Sequence, residues 1–153
     1  AAEGKVGIVR RDPMAMKPFC GYNFGDYWGH WLSFAAKSAH LPRIFHVNWF
    51  RKDGQGRFIW PGYRENMRIL HWIVQRVRHG AAARETPIGW VPRYTDIEWR
   101  GLDFPREKWN QVMAIDRDAW RAQTLMHQEL FLALGENLPK QLIFERELLI
   151  SRC

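Results

Sequence analysis

Apolar positions along this chain fall into blocks with two different periods, and Pro, Gly and Asn punctuate them. Phe24, Tyr27, Trp28, Trp31, Leu32 and Ala35 recur at helical spacing, which predicts a helix over about 23–37, stopped by Leu41-Pro42. Residues 44–50 alternate instead, with Phe45, Val47 and Trp49 on one face, and predict a strand. Asp53-Gly54 and Gly56 make a turn, and 57–60 return as a second strand, giving a hairpin with a long loop that Pro61-Gly62 breaks. A helix over about 65–79 follows, with Leu70, Ile73, Val74 and Val77 as its apolar face and Gly80 as its C-terminal cap. Pro87, Gly89 and Pro92 interrupt 86–100, which reads as irregular with one short strand at most. Pro105 opens a helix to about 113, Asp116 caps another that ends near Gly135, and Pro139 precedes a last one through 149. At the start, 1–7 reads as a flexible arm, and Ile8-Val9 as a short strand closed by Asp12-Pro13. The fold class this predicts is α+β, helix-dominant.

The length, 153 residues, fits one domain or one large piece of a domain. Nine Trp and nine Phe are more aromatic surface than a small core needs, so part of it is expected at an interface with further protein. The net charge of +7 draws phosphates without choosing among nucleotides, nucleic acids and other anions. Two cysteines, Cys20 and Cys153, make neither a disulfide framework nor a zinc pattern. A reduced, cytoplasmic chain is therefore expected. No apolar run has the length of a membrane span and no signal pattern is visible, so no membrane partner is expected. The first residue is Ala rather than Met, and a native start upstream is expected.

Candidate chemistry concentrates in 45–70, FHVNWFRKDGQGRFIWPGYRENMRIL. Trp49, Phe50, Phe58, Trp60 and Tyr63 surround a glycine-broken basic turn, and Asn66 stands where a helix begins. Rings near turns can close on both faces of a flat heterocycle, and stacking of this kind does not discriminate between bases. Discrimination needs a group at the base's edge. Asn carries both a donor and an acceptor, and at a helix start it lies beside free backbone N–H groups. Each of these features also has a structural reading. Clustered large aromatics are commonly core, Asn66 suits a helix cap, and Arg51, Lys52 and Arg57 suit a solvated basic loop. Arg76, Arg78 and His79 complement a helix dipole. The six histidines, His46 and His71 among them, show no metal-ligand spacing.

The segment 48–66, NWFRKDGQGRFIWPGYREN, resembles the guanine-binding segment of the GTP-dependent phosphoenolpyruvate carboxykinase family. DPMAMKPFCGYNFGDYWGHWLS resembles that family's DPMAMRPFFGYNFGDY, and LPRIFHVNWFRKD is nearly its pattern. ETPIGWVP and LPKQLIFERELLISR resemble the tail of bacterial members. The resemblance spans the whole chain but only the C-terminal part of the longer family polypeptide. It implies the C-terminal nucleotide-binding lobe portion of that fold, with 1–7 as the end of a mobile lid (Ala1, Ala2, Glu3, Gly4 and Lys5 within it). It also implies 44–79 as a guanine-binding hairpin and helix, and 103–153 as C-terminal helices.

The family converts oxaloacetate and GTP to phosphoenolpyruvate, GDP and CO2, a gluconeogenic lyase reaction that uses Mn2+ with Mg2+. By position, Phe50 and Tyr63 would sandwich guanine, Phe58 would lie at its edge, Asn66 would hydrogen-bond it and Trp49 would support the wall. Arg64 and Glu65 would belong to the same nucleotide-binding turn, and Gly21 to Tyr27 would lie beneath the lid. Tyr63 stands where the family usually has Phe, Arg64 where it has glycine, and Cys20 where Phe is frequent. No G-x-x-x-x-G-K-[ST] phosphate loop occurs here. No catalytic or metal-binding residue is therefore assigned, and the chain alone is expected to be inactive. Its expected partners are a guanine nucleotide and the remaining N-terminal part of the enzyme. A basic, aromatic-rich nucleic-acid-binding module is the alternative and ranks below it, because composition supports that reading while ordered motifs support the first.

Overall fold

The computed structural model describes residues 13–153, apart from the side chain of His79. The expected lid residues Ala1 to Lys5 and the strand at Ile8-Val9 lie outside the described residues. Two compact units form. One holds the described residues up to Leu41 together with Arg117–Cys153, and the other is Pro42–Asp116. The expected run of C-terminal helices at 103–153 is thereby divided at Asp116.

In the first unit, α1 spans Phe24–Lys37. Asn23 caps it, its Oδ1 accepting from the Gly25 N–H at 2.7 Å, while its Nδ2 donates to the Leu134 carbonyl at 3.2 Å. The amide thus ties the start of α1 to the end of α4, Arg117–Leu134. Asn137 closes the same joint, donating to Asp26 Oδ1 at 2.8 Å. A Cβ on Gly25 would lie 2.2 Å from the Asn137 carbonyl oxygen, so this position excludes any side chain. The GYNFGD run therefore has a packing reason here. Helix α5, Lys140–Arg152, lies against α4, where Arg146 Nε donates to the Thr124 carbonyl at 3.0 Å. Phe19, Leu132 and Phe144 leave much of their apolar surface exposed.

The second unit has its own core of Trp60, Trp72, Ile97, Phe104 and Trp109, with Phe45, Trp49, Ile69 and Ile73 packed on it. Helix α2 is Asn66–His79, and Gly80 ends it in the left-handed conformation at φ 65°. Its core-facing residues are Ile69, Trp72 and Ile73. Of the face expected from aliphatic periodicity, Ile73 packs on the core while Leu70, Val74 and Val77 are exposed. A single buried indole outweighs them because its apolar area is larger. Helix α3, Arg106–Val112, follows Pro105 as expected.

Two strand expectations change. Residues 44–50 form no strand. Asn48 Oδ1 accepts the Phe50 N–H at 3.0 Å, a local bond that takes the backbone out of any ladder. Of the expected hairpin only one antiparallel bridge remains, Lys52 to Phe58. The stretch read as irregular instead holds a two-stranded antiparallel hairpin, β1 Arg84–Thr86 and β2 Gly89–Val91, with Thr86 opposite Gly89.

Candidate functional site

The segment 48–66 is built around Asp53 and Trp60. Asp53 closes the turn, its Oδ1 accepting from the N–H groups of Gln55 at 2.9 Å and Arg57 at 3.0 Å, and its Oδ2 from Arg57 Nε at 3.0 Å. The backbone bond from Arg57 is the main cause of a carboxyl pKa held below its ordinary value, with the bond from Gln55 and the Arg57 guanidinium adding to it. Trp60 anchors the other side. It is 5% exposed and packs on Phe104 and Trp49, with ring centroids 5.5 and 6.2 Å away.

Around this anchor the expected site residues divide into two groups. Trp49 is half-buried and packs on Trp60. Phe50, Phe58 and Tyr63 are 72%, 58% and 92% exposed, and Phe50 meets Phe58 edge-on at 6.1 Å. Lys52 Nζ lies 5.1 Å from the centre of the Phe58 ring. Three large exposed rings on one short segment are unusual unless something covers them. Tyr63 opens a one-turn 3-10 helix, Tyr63–Glu65, that runs into α2.

Asn66 is half-buried at the first position of α2, and its Oδ1 accepts from Trp60 Nε1 at 2.8 Å. Two backbone N–H groups at this helix start, where free ones were expected, are engaged. The Glu65 N–H donates to the Gly62 carbonyl at 3.1 Å, and the Asn66 N–H to that of Tyr63. The side-chain amide of Asn66 is the remaining expected edge group at this point.

The charged residues also sort themselves. Glu65 pairs with Arg68 at 2.6 Å, and Arg68 also donates to the carbonyls of Glu98 and Arg100. Glu65 thus fixes the start of α2 through Arg68. Arg51 donates to the carbonyls of Val112 at 2.9 Å and Ala114 at 2.6 Å, complementing the C-terminal end of α3. Arg57 is held by Asp53 at 3.0 Å. Lys52, Arg57 and Arg64 are the exposed cations of the segment, and Asp53 engages Arg57 among them. Arg64 is not among the described residues with positive φ; the backbone flip falls on Gly62, at φ 120°. The turn therefore accepts a side chain at Arg64 without strain. Sequence reasoning counted Trp60 among the candidate rings without a role of its own, and no local pattern marks an indole as the partner of an amide six residues on.

The fold defines a helix-dominant α+β domain with a small two-stranded sheet. A family model described as "Phosphoenolpyruvate carboxykinase C-terminal P-loop domain" matches residues 1–152, and the chain belongs to that family. Among curated relatives, it is 48% identical over 155 residues to "Phosphoenolpyruvate carboxykinase [GTP]" of Neocallimastix frontalis, covering 99% of this chain and 25% of the relative. Proteins of the same name from Thermoplasma volcanium and Chlamydia muridarum are 45% and 46% identical, over 97% and 95% of this chain and 25% and 24% of their own lengths. The chain thus spans about a quarter of the length of these relatives.

Proposed function

We propose that this chain supplies the guanine-binding part of a cytoplasmic GTP-dependent phosphoenolpyruvate carboxykinase, which converts oxaloacetate and GTP to phosphoenolpyruvate, GDP and CO2. The observation that carries the reading is the exposure of Phe50 and Tyr63 beside a held amide. The two rings, like Phe58, are left open on a segment whose tryptophans, Trp49 and Trp60, are packed inward. Stacking supplies affinity for any base, and the amide of Asn66 supplies the choice. Lys52 and Arg64 are available to the phosphates.

The family resemblance also implies Mn2+ and Mg2+. Among the described residues no group of three or more His, Cys, Asp or Glu could hold a metal ion. These residues do not fit that role, and no step of the proposal runs through a metal. Phosphoryl transfer needs cations positioned around the moving group. That task falls to the remaining part of the enzyme, the partner for the exposed apolar faces of α4 and α5. The chain alone is expected to bind nucleotide without turnover.

Calorimetric titration of the chain with GDP, ADP and a single-stranded RNA tests the reading. GDP is expected to bind at least about tenfold more tightly than ADP, the difference one mismatched polar contact makes. Equal affinities for GDP and ADP would refute guanine recognition. Tighter binding of RNA, falling steeply with salt, would favour a phosphate-backbone binder instead.

A further inference from the structure

Three indoles of the second unit, those of buried Trp60 and Trp72 and half-buried Trp99, donate their N–H groups in two ways. Trp72 donates to the Ala82 carbonyl at 3.1 Å and Trp99 to that of Tyr94 at 2.8 Å, both main-chain acceptors. Trp60 donates to a side chain, Asn66 Oδ1, at 2.8 Å. An indole N–H can only donate, so the atom facing it has to be the amide oxygen. The NH2 of Asn66 is thereby turned the other way. Trp60 cannot readily follow a rotating amide, because its ring is wedged between Phe104 and Trp49 in the core. With the neighbouring N–H groups of Glu65 and Asn66 engaged by Gly62 and Tyr63, the Nδ2 hydrogens are the donors the amide can offer.

We propose that Trp60 is a positioning residue for base selection, locking the Asn66 amide so that it offers a donor, and not an acceptor, to the nucleobase. The inference rests on the guanine-site reading and adds the mechanism of its choice. A fixed donor suits the carbonyl at C6 of guanine. At the same place adenine carries an amino group, so two donors would face each other and one would stay unpaired. Without the indole, the amide could turn over and present its oxygen to that amino group. Selectivity at C6 is thus set by a core residue that does not touch the base.

The test uses the 153-residue chain as parent, Trp60→Phe and Asn66→Asp, each titrated with GDP and ADP. Trp60→Phe keeps an aromatic ring in the core but cannot donate. It is expected to lower the GDP-over-ADP ratio about tenfold, mostly by leaving ADP affinity unchanged or raised. A merely structural role would weaken both nucleotides in step. Asn66→Asp keeps an acceptor for Trp60 and removes the NH2, so it should lose the preference while the melting temperature holds.

Nitrogen-15 spectra of the parent give a second readout, which stands even if Trp60→Phe does not fold. Addition of GDP should shift the Asn66 NH2 signals and leave the Trp60 indole N–H protected from exchange. An unchanged GDP-over-ADP ratio in Trp60→Phe, or loss of indole protection on binding GDP, would overturn the inference. No guanine preference in the parent would instead remove the guanine reading itself, an outcome visible before any variant is made.

Discussion

Tyr63→Ala separates a binding ring from a packing ring, because the structure makes the two costs very unequal. Full burial of a large apolar side chain is worth about 1.5–3 kcal/mol. Tyr63 is 92% exposed, so truncation removes less than about 0.5 kcal/mol of fold stability. The backbone contribution survives, since the Tyr63 carbonyl still accepts the Asn66 N–H and Ala is a good helix former. If the ring stacks on a base, its loss costs about 1–3 kcal/mol of binding, or roughly 5- to 150-fold in affinity.

The expected signature is therefore a melting temperature close to the parent's with a large loss of nucleotide affinity. GDP and ADP should weaken by similar factors, because stacking is indifferent to the base edge. Tyr63→Phe, which keeps the ring, should bind as the parent does. Phe50→Ala should behave alike, with a somewhat larger fold cost from its edge contact with Phe58. Calorimetric titration with both nucleotides, beside thermal denaturation, measures the two affinities and the melting temperature of each variant. Unchanged affinity in Tyr63→Ala would refute the stacking role, and a stability loss matching the binding loss would return the ring to the core.

Other perturbations probe the supports. Arg64→Gly should leave GDP affinity within a fewfold of the parent in the same titration, since the turn carries its flip at Gly62; a large gain would mean that Arg64 obstructs the site. Gly25→Ala should destabilise the chain by about 1–3 kcal/mol in urea denaturation, because its Cβ meets main-chain atoms of Asn137 that cannot swing aside; an unchanged midpoint would refute that close approach. Asp53 should titrate below the ordinary carboxylate range in an NMR pH series. A depressed carboxyl pKa stabilises the turn above the unfolded pKa, and that support is lost as pH falls through the folded value. Amide protection at Gln55 and Arg57 should accordingly persist at the ordinary carboxylate pKa and fade only below it, and Asp53→Asn should abolish that pH dependence.

The helices were legible because caps and breakers bound them. Asn23 before α1, Gly80 after α2 and Pro105 before α3 act locally, and each does what its residue type favours. The strands were less legible because their hydrogen bonds depend on competition. Alternation over 44–50 promised a strand, but the Asn48 side chain takes the Phe50 N–H. Around Pro87 and Gly89 the breakers made a hairpin turn, with Thr86 Oγ1 donating to the Gly89 carbonyl at 2.6 Å. Of the site, the exposed rings could be named from the motif alone. Which charges serve packing could not. The acceptors of Arg51 and Arg68 are main-chain carbonyls tens of residues away, and no side-chain pattern encodes them.

Those long-range supports bear on where base recognition resides. Arg51 ties the aromatic segment to the end of α3, and Arg68 ties the start of α2 to Glu98 and Arg100. Trp60 fixes the amide from within the core. Every one of these partners lies inside Pro42–Asp116, the unit that also carries Phe50, Phe58, Tyr63 and Asn66. The rings and the amide thus belong to a unit with a core of its own. A site whose shape is set within one unit can select its base before the phosphates are engaged elsewhere. Disrupting the joint of α1 and α4 through Gly25 should then lower stability without changing the ratio of GDP to ADP affinity in the molecules that remain folded.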